Sequence, residues 1–441
     1  MISLSGQLRI AEIFSPNRTS LDGETLGNCC AADRLAANSC VAVSLVDPVL
    51  LIQALVALDG RVGAILLVSG ALDVNTTTRL INRAGCDVLI TDRDELMALD
   101  AAVSFEHAIV KGSSPATQKT SWLMTTSGTT GTPKTVPHTL QSLARSVYRF
   151  PFDTAPCWGL LYDPTRFAGL QVTLQALIGG GRLVAVDTRR PIGAQIEELA
   201  RNTCTHLSAT PTLWRRILMV PGHETLPLRQ ATLGGEIVDQ ATLDAVKTSF
   251  PNARITHIYA STEAGVGFSV NDGRAGFPRS YLQGASGGTK LKIADGVLWL
   301  RPAHAAPSHS NGTEVDKSGF VRSGDMILED GERLFFLGRE NGVINVGGVK
   351  IYPETVEDIV KAVPGVALVQ VSSKKNPITG TLVVAEILLE DGANAATVKQ
   401  TVLERCRNAL VREAVPAIIR FVDGFETNAA GKLIRKEGFV G

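Results

Sequence analysis

The sequence predicts an α/β protein with a large N-terminal domain and a small α+β C-terminal domain. Up to Asn271, apolar strand-like runs alternate with longer helical patterns. From Asn271 to His309 the chain becomes rich in Gly, Ser and Pro. After "FFLGREN", new strands and helices begin, and about 100 residues with elements of their own can form a separate domain.

The large domain is predicted from its first strands and helices. The apolar stretch from Val41 to Val68 favours a core helix followed by a buried strand, "VGAILLV". A helical pattern, "TTTRLINRAG", then leads to the strand "DVLITD", and "RFAGLQVTLQAL" predicts a buried helix before the strand "RLVAVD". This alternation indicates a parallel or mixed sheet that is covered by helices.

The remaining elements complete the predicted fold. Short strand-like pieces between Asn271 and His309 indicate a small, largely antiparallel β region. Beyond it we expect the strand "VINV" and a helix that begins at Pro353, a residue favoured at the first helical position. The strands "ALVQVSS" and "TLVVAEILLE", a helix around Ala395 to Glu413 and the strand "AIIRFVD" follow.

Composition excludes several classes of protein. The chain has 43 basic and 43 acidic residues, so no net charge attracts nucleic acid or an anionic membrane. No run of about 20 apolar residues predicts a membrane span, and no secretory signal is expected at the start. The seven cysteines form no CxxC pair, which favours reduced thiols in a cytoplasmic protein.

The most informative run is "TTSGTTGTPKTVPHT", from Thr125 to Thr139. Hydroxyl groups and glycine amides in a loop bind phosphate oxygens, and a lysine adds positive charge. A plain surface linker is the commoner origin of such a composition, and a Walker A loop is excluded because Pro133 stands where glycine is needed. The predicted phosphate contacts are Thr126, Ser127, Gly128, Thr129, Thr130, Gly131 and Lys134.

This run resembles the phosphate-binding signature of the adenylate-forming superfamily, which includes acyl-CoA synthetases, nonribosomal adenylation domains and luciferases. Four further motifs follow in the order of that family. "YASTEAG" resembles its element in which an aromatic ring stacks on adenine, a threonine contacts the α-phosphate and a glutamate holds Mg²⁺. The resemblance therefore implies nucleotide contacts by residues 259–263 and a metal ligand at Glu263; they are Tyr259, Ala260, Ser261, Thr262 and Glu263.

The other three motifs extend the resemblance to the end of the chain. "LGGE" resembles the turn at the edge of adenine, which implies contacts by Gly234, Gly235 and Glu236. "RSGD" and the run from "LGREN" to "PETVED" imply that Asp325 and Arg339 bind ribose, that Asn341 is the hinge and that Gly347 and Gly348 line the path of a thiol. "NAAGKLIRK" implies a catalytic lysine, Lys432. A single Thr-Glu pair, turn aspartate or surface lysine would carry no such meaning, so the assignment rests on the ordered set.

The resemblance also fixes the expected domain limits. It implies an ATP- and acyl-binding domain at residues 1–338, shortened at its N-terminus, and a mobile lid domain at residues 339–441 with its hinge near residues 339–341. The chain departs from the family at Ala260, where glycine is usual, and at Asn341, where Asp or Lys is usual. The family's proline before the last loop is also absent, and Glu426 and Thr427 stand where Pro and a basic residue are common.

The acyl pocket is expected around Arg166, Phe167, Ala168 and Phe268 together with the ring of Tyr259. Such a pocket is compact and fairly apolar, which suits an aryl or short acyl group. Arg166 stands where the family commonly has a histidine. Its guanidinium either pairs with an anionic or carbonyl-rich substrate or forms a surface salt bridge with Asp163, and the sequence leaves both open.

The implied function is activation of a small carboxylic acid by ATP and Mg²⁺, as an acyl adenylate, followed by transfer to a thiol. CoA is the favoured acceptor, and the phosphopantetheine arm of an acyl carrier protein is the alternative. Transfer to an amine or another nucleophile also remains open. A nucleotide-binding scaffold without catalysis is disfavoured, because Glu263, Asp325, Arg339 and Lys432 are all present.

Overall fold

A computed structural model describes residues 3–16, 18–32, 35, 37–112, 115–126, 134–262, 265–284, 288–301, 314–376 and 380–426. The strands are β1 Ile10–Ser15, β2 Arg18–Asp22, β3 Cys29–Ala31, β4 Cys40–Ser44, β5 Ala64–Leu67, β6 Val88–Thr91, β7 Ala102–Ser104, β8 Ile109–Lys111, β9 Ser121–Thr126, β10 Lys134–His138, β11 Cys157–Leu160, β12 Gly181–Ala185, β13 His206–Ala209, β14 Gln230–Gly234, β15 Arg254–Ser261, β16 Gly265–Val270, β17 Phe277–Pro278, β18 Lys290–Ala294, β19 Val297–Arg301, β20 Val321–Asp330, β21 Arg333–Arg339, β22 Ile344–Val346, β23 Val349–Ile351, β24 Val366–Asn376, β25 Gly380–Leu389 and β26 Ile418–Phe421. The helices are α1 Gly23–Gly27, α2 Pro48–Leu58, α3 Val74–Ala84, α4 Phe105–Ala108, α5 Leu140–Leu143, α6 Phe167–Gly179, α7 Ile192–Arg201, α8 Pro211–Leu218, α9 Gln240–Ser249, α10 Pro353–Lys361 and α11 Ala395–Ala409.

Two large sheets form the N-terminal part of the described chain. One has the strand order β16-β15-β14-β13-β11-β12-β1-β2, and its six inner strands run parallel. The other has the order β10-β9-β5-β4-β6-β7, in which β10 alone runs antiparallel to its neighbour. The predicted parallel or mixed sheet is thus confirmed in kind, and the chain forms two such sheets rather than one.

The largest core lies where both sheets meet α2 and α6. Nearly every residue of α2 is buried, and α6 buries residues all round its axis. A helix that is apolar on every side is stable only inside a core. These two helices therefore fasten β4, β5 and β9 of the six-stranded sheet to β1 and β12 of the eight-stranded sheet in one cluster.

The apolar stretch from residue 41 to residue 68 holds one element more than the sequence predicts. The strand β4 precedes α2, and β5 follows it. A buried parallel strand and a buried helix are both continuous apolar runs, so periodicity does not separate them. Asp47 marks the junction, because its carboxylate accepts hydrogen bonds from the backbone N–H groups of Val49 and Leu50 at the start of α2.

Beyond β16 the architecture changes as predicted. The strands β17-β21-β20-β19-β18 form an antiparallel sheet, which confirms the small β region. The last part contains the hairpin β22–β23 and the sheet β24-β25-β26, with α10 and α11 contributing to the same core. The predicted helix at Pro353 is confirmed as α10. The domain boundary at residues 338 and 339 stays a prediction.

In the described part of the chain, no helix is both long and apolar enough to cross a bilayer.

Candidate nucleotide and acid site

The predicted phosphate run connects the two strands of a hairpin. β9 ends at Thr126 and β10 begins at Lys134, and these two residues are register partners. Since β9 runs parallel to β5, the run leaves the six-stranded sheet at the carboxyl end of its parallel strands. Ser127, Gly128, Thr129, Thr130 and Gly131 lie outside the described residues, as does the side chain of Thr126.

Two long-range hydrogen bonds bracket the segment that carries Glu263. His138, at the end of β10 and 4% exposed, donates from Nε2 to the carbonyl oxygen of Thr262 at 2.7 Å. Arg145 donates from Nη2 to the carbonyl oxygen of Val266 at 2.7 Å. The predicted Glu263 lies outside the described residues, but both flanks of its segment are fastened to the region that follows the phosphate run.

The predicted adenine-edge turn follows β14. Gly235 has φ +84°, a left-handed conformation that favours glycine. A Cβ on Gly234 would lie 3.3 Å from the carbonyl oxygen of Ile258, so the turn runs close to β15. Glu236 accepts a hydrogen bond from the backbone N–H of Thr212 at 3.0 Å, near the start of α8. Its carboxylate thereby fixes the turn to the N-terminus of a helix.

Tyr259, Asp325 and Arg339 form one hydrogen-bonded group. The hydroxyl of Tyr259 donates to Oδ2 of Asp325. Nε of Arg339 donates to Oδ1 of the same carboxylate at 3.1 Å, across the pair β20–β21. Burial, with the neighbouring carboxylate second, raises the pKa of Tyr259 well above its ordinary value. The tyrosine therefore stays a neutral donor.

The ring of Tyr259 belongs to an aromatic cluster. It stacks on Phe268 with ring centroids 5.3 Å apart and on Phe336 with centroids 5.1 Å apart. Phe268, predicted to line the acyl pocket, is 2% exposed and also contacts Phe277 and Tyr281. The structure thus places Phe268 in the core between the eight-stranded sheet and the five-stranded antiparallel sheet, where it supports Tyr259.

Arg166 occupies the N-cap position of α6, next to the phosphate hairpin. Its Nη1 donates to Thr125, to the carbonyl oxygen at 3.2 Å and to Oγ1 at 3.0 Å. Burial lowers the pKa of Arg166, and the nearby Asp163 partly opposes this. The carboxylate of Asp163 accepts instead from Thr165 and Ser69. Between these two described side chains no salt bridge forms, so the surface-pair interpretation is wrong.

Phe167 and Ala168 follow in the first turn of α6. Both are partly buried against the main core. The ring of Phe167 has its centroid 6.3 Å from that of His138. The two predicted pocket residues therefore lie beside the histidine that holds Thr262, and the start of α6, the phosphate hairpin and the end of β15 meet at one place.

The predicted hinge and thiol-path residues lie in turns that follow β21. Asn341 is exposed in a single 3₁₀ turn, Glu340–Gly342, directly after β21. Gly347 and Gly348 form the turn between β22 and β23 with φ of +59° and +93°, and a Cβ on either would meet nothing within 4 Å. Lys432 lies outside the described residues.

The hydrogen-bonding groups around Asp325 fit a nucleoside. A carboxylate has about four acceptor positions, and Asp325 uses two of them for Tyr259 and Arg339, which leaves acceptors for ribose hydroxyls. Among the described residues, no cluster of three or more His, Cys, Asp or Glu side chains could hold Mg²⁺. The predicted metal ligand Glu263 lies outside the described residues.

Sequence reasoning missed His138, Arg145 and Phe336. His138 stands inside the quoted phosphate run, and a buried histidine at the end of a strand was the available signal. Arg145 and Phe336 gave no signal in the sequence, because their partners, Val266 and Tyr259, are far away along the chain.

Two family models and several characterised proteins match this chain. The model of the AMP-binding enzyme family matches residues 36–297, and that of the AMP-binding enzyme C-terminal domain matches residues 355–432. The 2-succinylbenzoate–CoA ligase of Geobacillus kaustophilus is 26% identical over 345 residues, which cover 71% of this chain and 68% of that protein. The 4-coumarate–CoA ligase 2 of Oryza sativa is 23% identical over 79% of this chain and 65% of that protein.

Solved structures share the fold over almost the full length. The anthranilate CoA ligase AuaEII, in complex with anthranoyl-AMP, superposes with a TM-score of 0.79 at 17% identity over 98% of this chain and 95% of that one. ATP-bound MatB from Rhodopseudomonas palustris gives 0.78 at 18% identity over 97% and 94%. The fold is thus that of nucleotide-binding enzymes with a large N-terminal and a small C-terminal domain.

The family follows from the extent of the first match. Residues 36–297 make up more than half of the 441 residues, so the chain belongs to the family of AMP-binding enzymes. The predicted resemblance and fold class are confirmed.

Proposed function

We propose that this chain is an AMP-forming acid–CoA ligase. It activates a carboxylic acid with ATP as an acyl adenylate, releases pyrophosphate and transfers the acyl group to CoA. The observation that carries the proposal is the convergence of three motifs on one site. His138 holds Thr262 at 2.7 Å, and β15, which ends one residue before Thr262, presents Tyr259 to Asp325 and hence to Arg339.

The nucleoside is bound by the group around Asp325. Its remaining lone pairs accept from the ribose hydroxyls, while Tyr259 and Arg339 hold the carboxylate in position. The turn of Gly234 and Gly235 lets the backbone approach the edge of the base. Because these donors and acceptors are fixed before binding, little conformational freedom is lost when ATP arrives.

The phosphates lie at the carboxyl end of β9. We assign their binding to the run from Thr126 to Gly131 and to Lys134, with Thr262 at the α-phosphate and Glu263 at the metal. Mg²⁺, when bound with ATP, neutralises phosphate charge as the pyrophosphate leaves. The two hydrogen bonds that flank Glu263 fasten Thr262 and Val266 to the residues that follow the phosphate run.

The small domain completes both steps. We assign to Lys432 the task of bringing the carboxylate and the α-phosphate together, since its ammonium group offsets the charge of both. Rotation about Asn341 then withdraws Lys432 and brings Gly347 and Gly348 to the site, where their open turn admits a slender thiol. One site thus serves both half-reactions.

The acid is proposed to be aromatic. Three of the four similar proteins named above are ligases of 2-succinylbenzoate, 4-coumarate and anthranilate, which are aromatic acids. In this chain, Phe167 and Ala168 offer an apolar wall at the start of α6. We also place the reaction in the cytoplasm, which supplies ATP and CoA and keeps thiols reduced; all seven cysteines are free.

A screen of pyrophosphate release tests the proposal. The protein is incubated with Mg·ATP and aryl, fatty or amino acids, with and without CoA, and products are identified by mass spectrometry. We expect release that depends on an aryl acid, and an aryl-CoA product only when CoA is present. Asp325→Ala serves as the inactive control. If the acyl adenylate transfers only to a carrier protein or an amine, that group replaces CoA as the acceptor. Absence of turnover with every acid would support a non-catalytic scaffold.

A further inference from the structure

Two thiols on neighbouring strands lie within contact distance. Cys40 begins β4, and Cys86 stands two residues before β6. Their Sγ atoms are 3.1 Å apart, although 46 positions separate the residues in sequence. Both side chains are only partly buried, whereas Cys157, Cys204 and Cys406 are buried.

The backbone holds these two residues in a suitable geometry. The N–H of Cys40 donates to Oδ2 of Asp87 at 2.9 Å, and the N–H of Asp87 donates to the carbonyl oxygen of Cys40 at 2.9 Å. Val41 pairs with Val88 in the register of β4 and β6, so Cys86 lies one residue before the position opposite Cys40. A disulfide bond is about 2.05 Å long, so a small rotation of either side chain closes the gap.

We propose that Cys40 and Cys86 form a redox modification site that reacts with a low-molecular-weight disulfide such as oxidised glutathione. The thiolate of Cys40 attacks one sulfur of the reagent and displaces a thiolate. Cys86, after losing its proton, attacks Cys40 in the mixed disulfide and displaces the second thiol. Two protein thiols are oxidised to one disulfide, and the reagent is reduced to two thiols.

The order of attack follows from the contact between the sulfurs. Either thiol could donate in this contact; with Cys86 as the donor, the contact lowers the pKa of Cys40, against opposing effects of burial and of the Asp87 carboxylate. The same contact raises the pKa of Cys86. Cys40 is therefore the first nucleophile, because the thiolate is the reactive form.

The site is remote from the phosphate run. β4, β6, β5 and β9 run parallel; the thiols lie at the amino ends of β4 and β6, whereas the phosphate run leaves the carboxyl end of β9. Oxidation therefore joins two strands of the sheet that carries the hairpin, without entering the proposed site. We expect a stabilising cross-link that leaves turnover unchanged.

Peptide mapping of the native full-length chain tests this inference. The protein is treated with oxidised glutathione, blocked with iodoacetamide, digested and analysed by mass spectrometry. We expect a peptide linked through Cys40 and Cys86, reversal by dithiothreitol, a rise of roughly 5 °C in the midpoint of thermal unfolding, and pyrophosphate release within about twofold of the untreated enzyme. Cys30→Ser, which removes a buried thiol elsewhere, is the matched control and should behave as wild type.

Cys86→Ser separates the two steps, because it should stop at a glutathione adduct on Cys40. The proposal is overturned if folded wild-type protein, verified by circular dichroism, forms no link between these residues. It is equally overturned if stable glutathione adducts accumulate on both thiols, or if the linked form unfolds at the same temperature as the reduced form.

Discussion

At the scale of single residues, Asp325 shows how the site prepares an acceptor. Tyr259 and Arg339 each donate to one of its oxygens. Tyr259→Phe removes one donor and keeps the ring, so we expect the KM for ATP to rise by about tenfold, as for the loss of a hydrogen bond to a charged group, with little change in kcat. The measurement is pyrophosphate release at varied ATP.

Tyr281→Phe is the matched control for this prediction. Tyr281 contacts the same Phe268 ring, but its hydroxyl donates to the carbonyl oxygen of Ser269 at 3.1 Å, away from Asp325. If both tyrosine variants raise the KM for ATP equally, the effect comes from the aromatic cluster and the role of the Tyr259 hydroxyl is refuted.

Arg166 provides a second prediction at this scale. One nitrogen of its guanidinium is used by Thr125, which leaves the rest of the fork for an oxygen ligand. We expect Arg166→Ala to lower kcat/KM at least about tenfold more for an acid with a second anionic group than for its neutral analogue. The measurement is a panel of matched acids. Equal losses for both, or a rise in the KM for ATP alone, would assign Arg166 to another role.

His206 gives a prediction for the dependence of stability on pH. Burial, with the nearby Arg229 second, lowers its pKa from 6.5 to about 4, and its ring contacts Phe150 and Trp158. The unfolded state binds the proton on this histidine more readily than the folded state does. The contribution of His206 to the free energy of unfolding is therefore fully present above about pH 6.5, and about 3 kcal/mol is lost as the pH falls towards 4.

The measurement for His206 is chemical unfolding between pH 4 and pH 7. His206→Gln, which does not titrate in this range, should flatten the profile even if it lowers stability at pH 7. A profile for His206→Gln as steep as that of wild type would contradict the assignment.

At the scale of elements, the turn between β15 and β16 depends on the region after the phosphate run. Arg145 holds Val266 by a hydrogen bond of 2.7 Å, and a Cβ on Gly265 would lie 2.8 Å from the same nitrogen. We expect Arg145→Ala to loosen the Glu263 segment and to raise the KM for Mg·ATP by about tenfold. Titration of ATP at fixed excess Mg²⁺ measures this.

Arg149→Ala is the control for that element. Arg149 lies four residues further on, and its guanidinium bonds to the side chain of Gln7 at 3.3 Å. Its removal should leave the KM for Mg·ATP unchanged. Should Arg145→Ala also leave it unchanged, while the midpoint of thermal unfolding stays constant, the anchoring role would be excluded.

Elements were predicted from the sequence where local signals suffice. Pro353 marks the start of α10, and alternation of strands and helices predicts the parallel sheets. The strand β4 was not predicted separately from the helix α2 that follows it, because both elements are buried and apolar. The contact of His138 with Thr262 spans 124 positions. No local pattern encodes such a pair, so the site's motifs could be predicted but not the hydrogen bonds that join them.

At the scale of the whole molecule, the two parts of the chain meet near the proposed hinge. Glu354 in α10 lies against Gly338 of β21, where a Cβ would come within 2.3 Å of the carboxylate. Arg322 and Glu340 form an ion pair at 2.5 Å beside the turn that holds Asn341. A rotation at this turn therefore has to break these local interactions and also the contacts that β24 makes with α8.

The last prediction concerns which of the two half-reactions requires Lys432. If Lys432 acts only in adenylation, Lys432→Ala should reduce acid-dependent pyrophosphate exchange by at least about a hundredfold, because it removes a charge that acts on the reacting groups. Formation of the thioester from supplied acyl adenylate and CoA should stay within a few-fold of wild type. Lys436→Ala, in the same tail, is the control and should spare both steps. Equal loss of both steps in Lys432→Ala would mean that one arrangement of the domains serves the whole reaction.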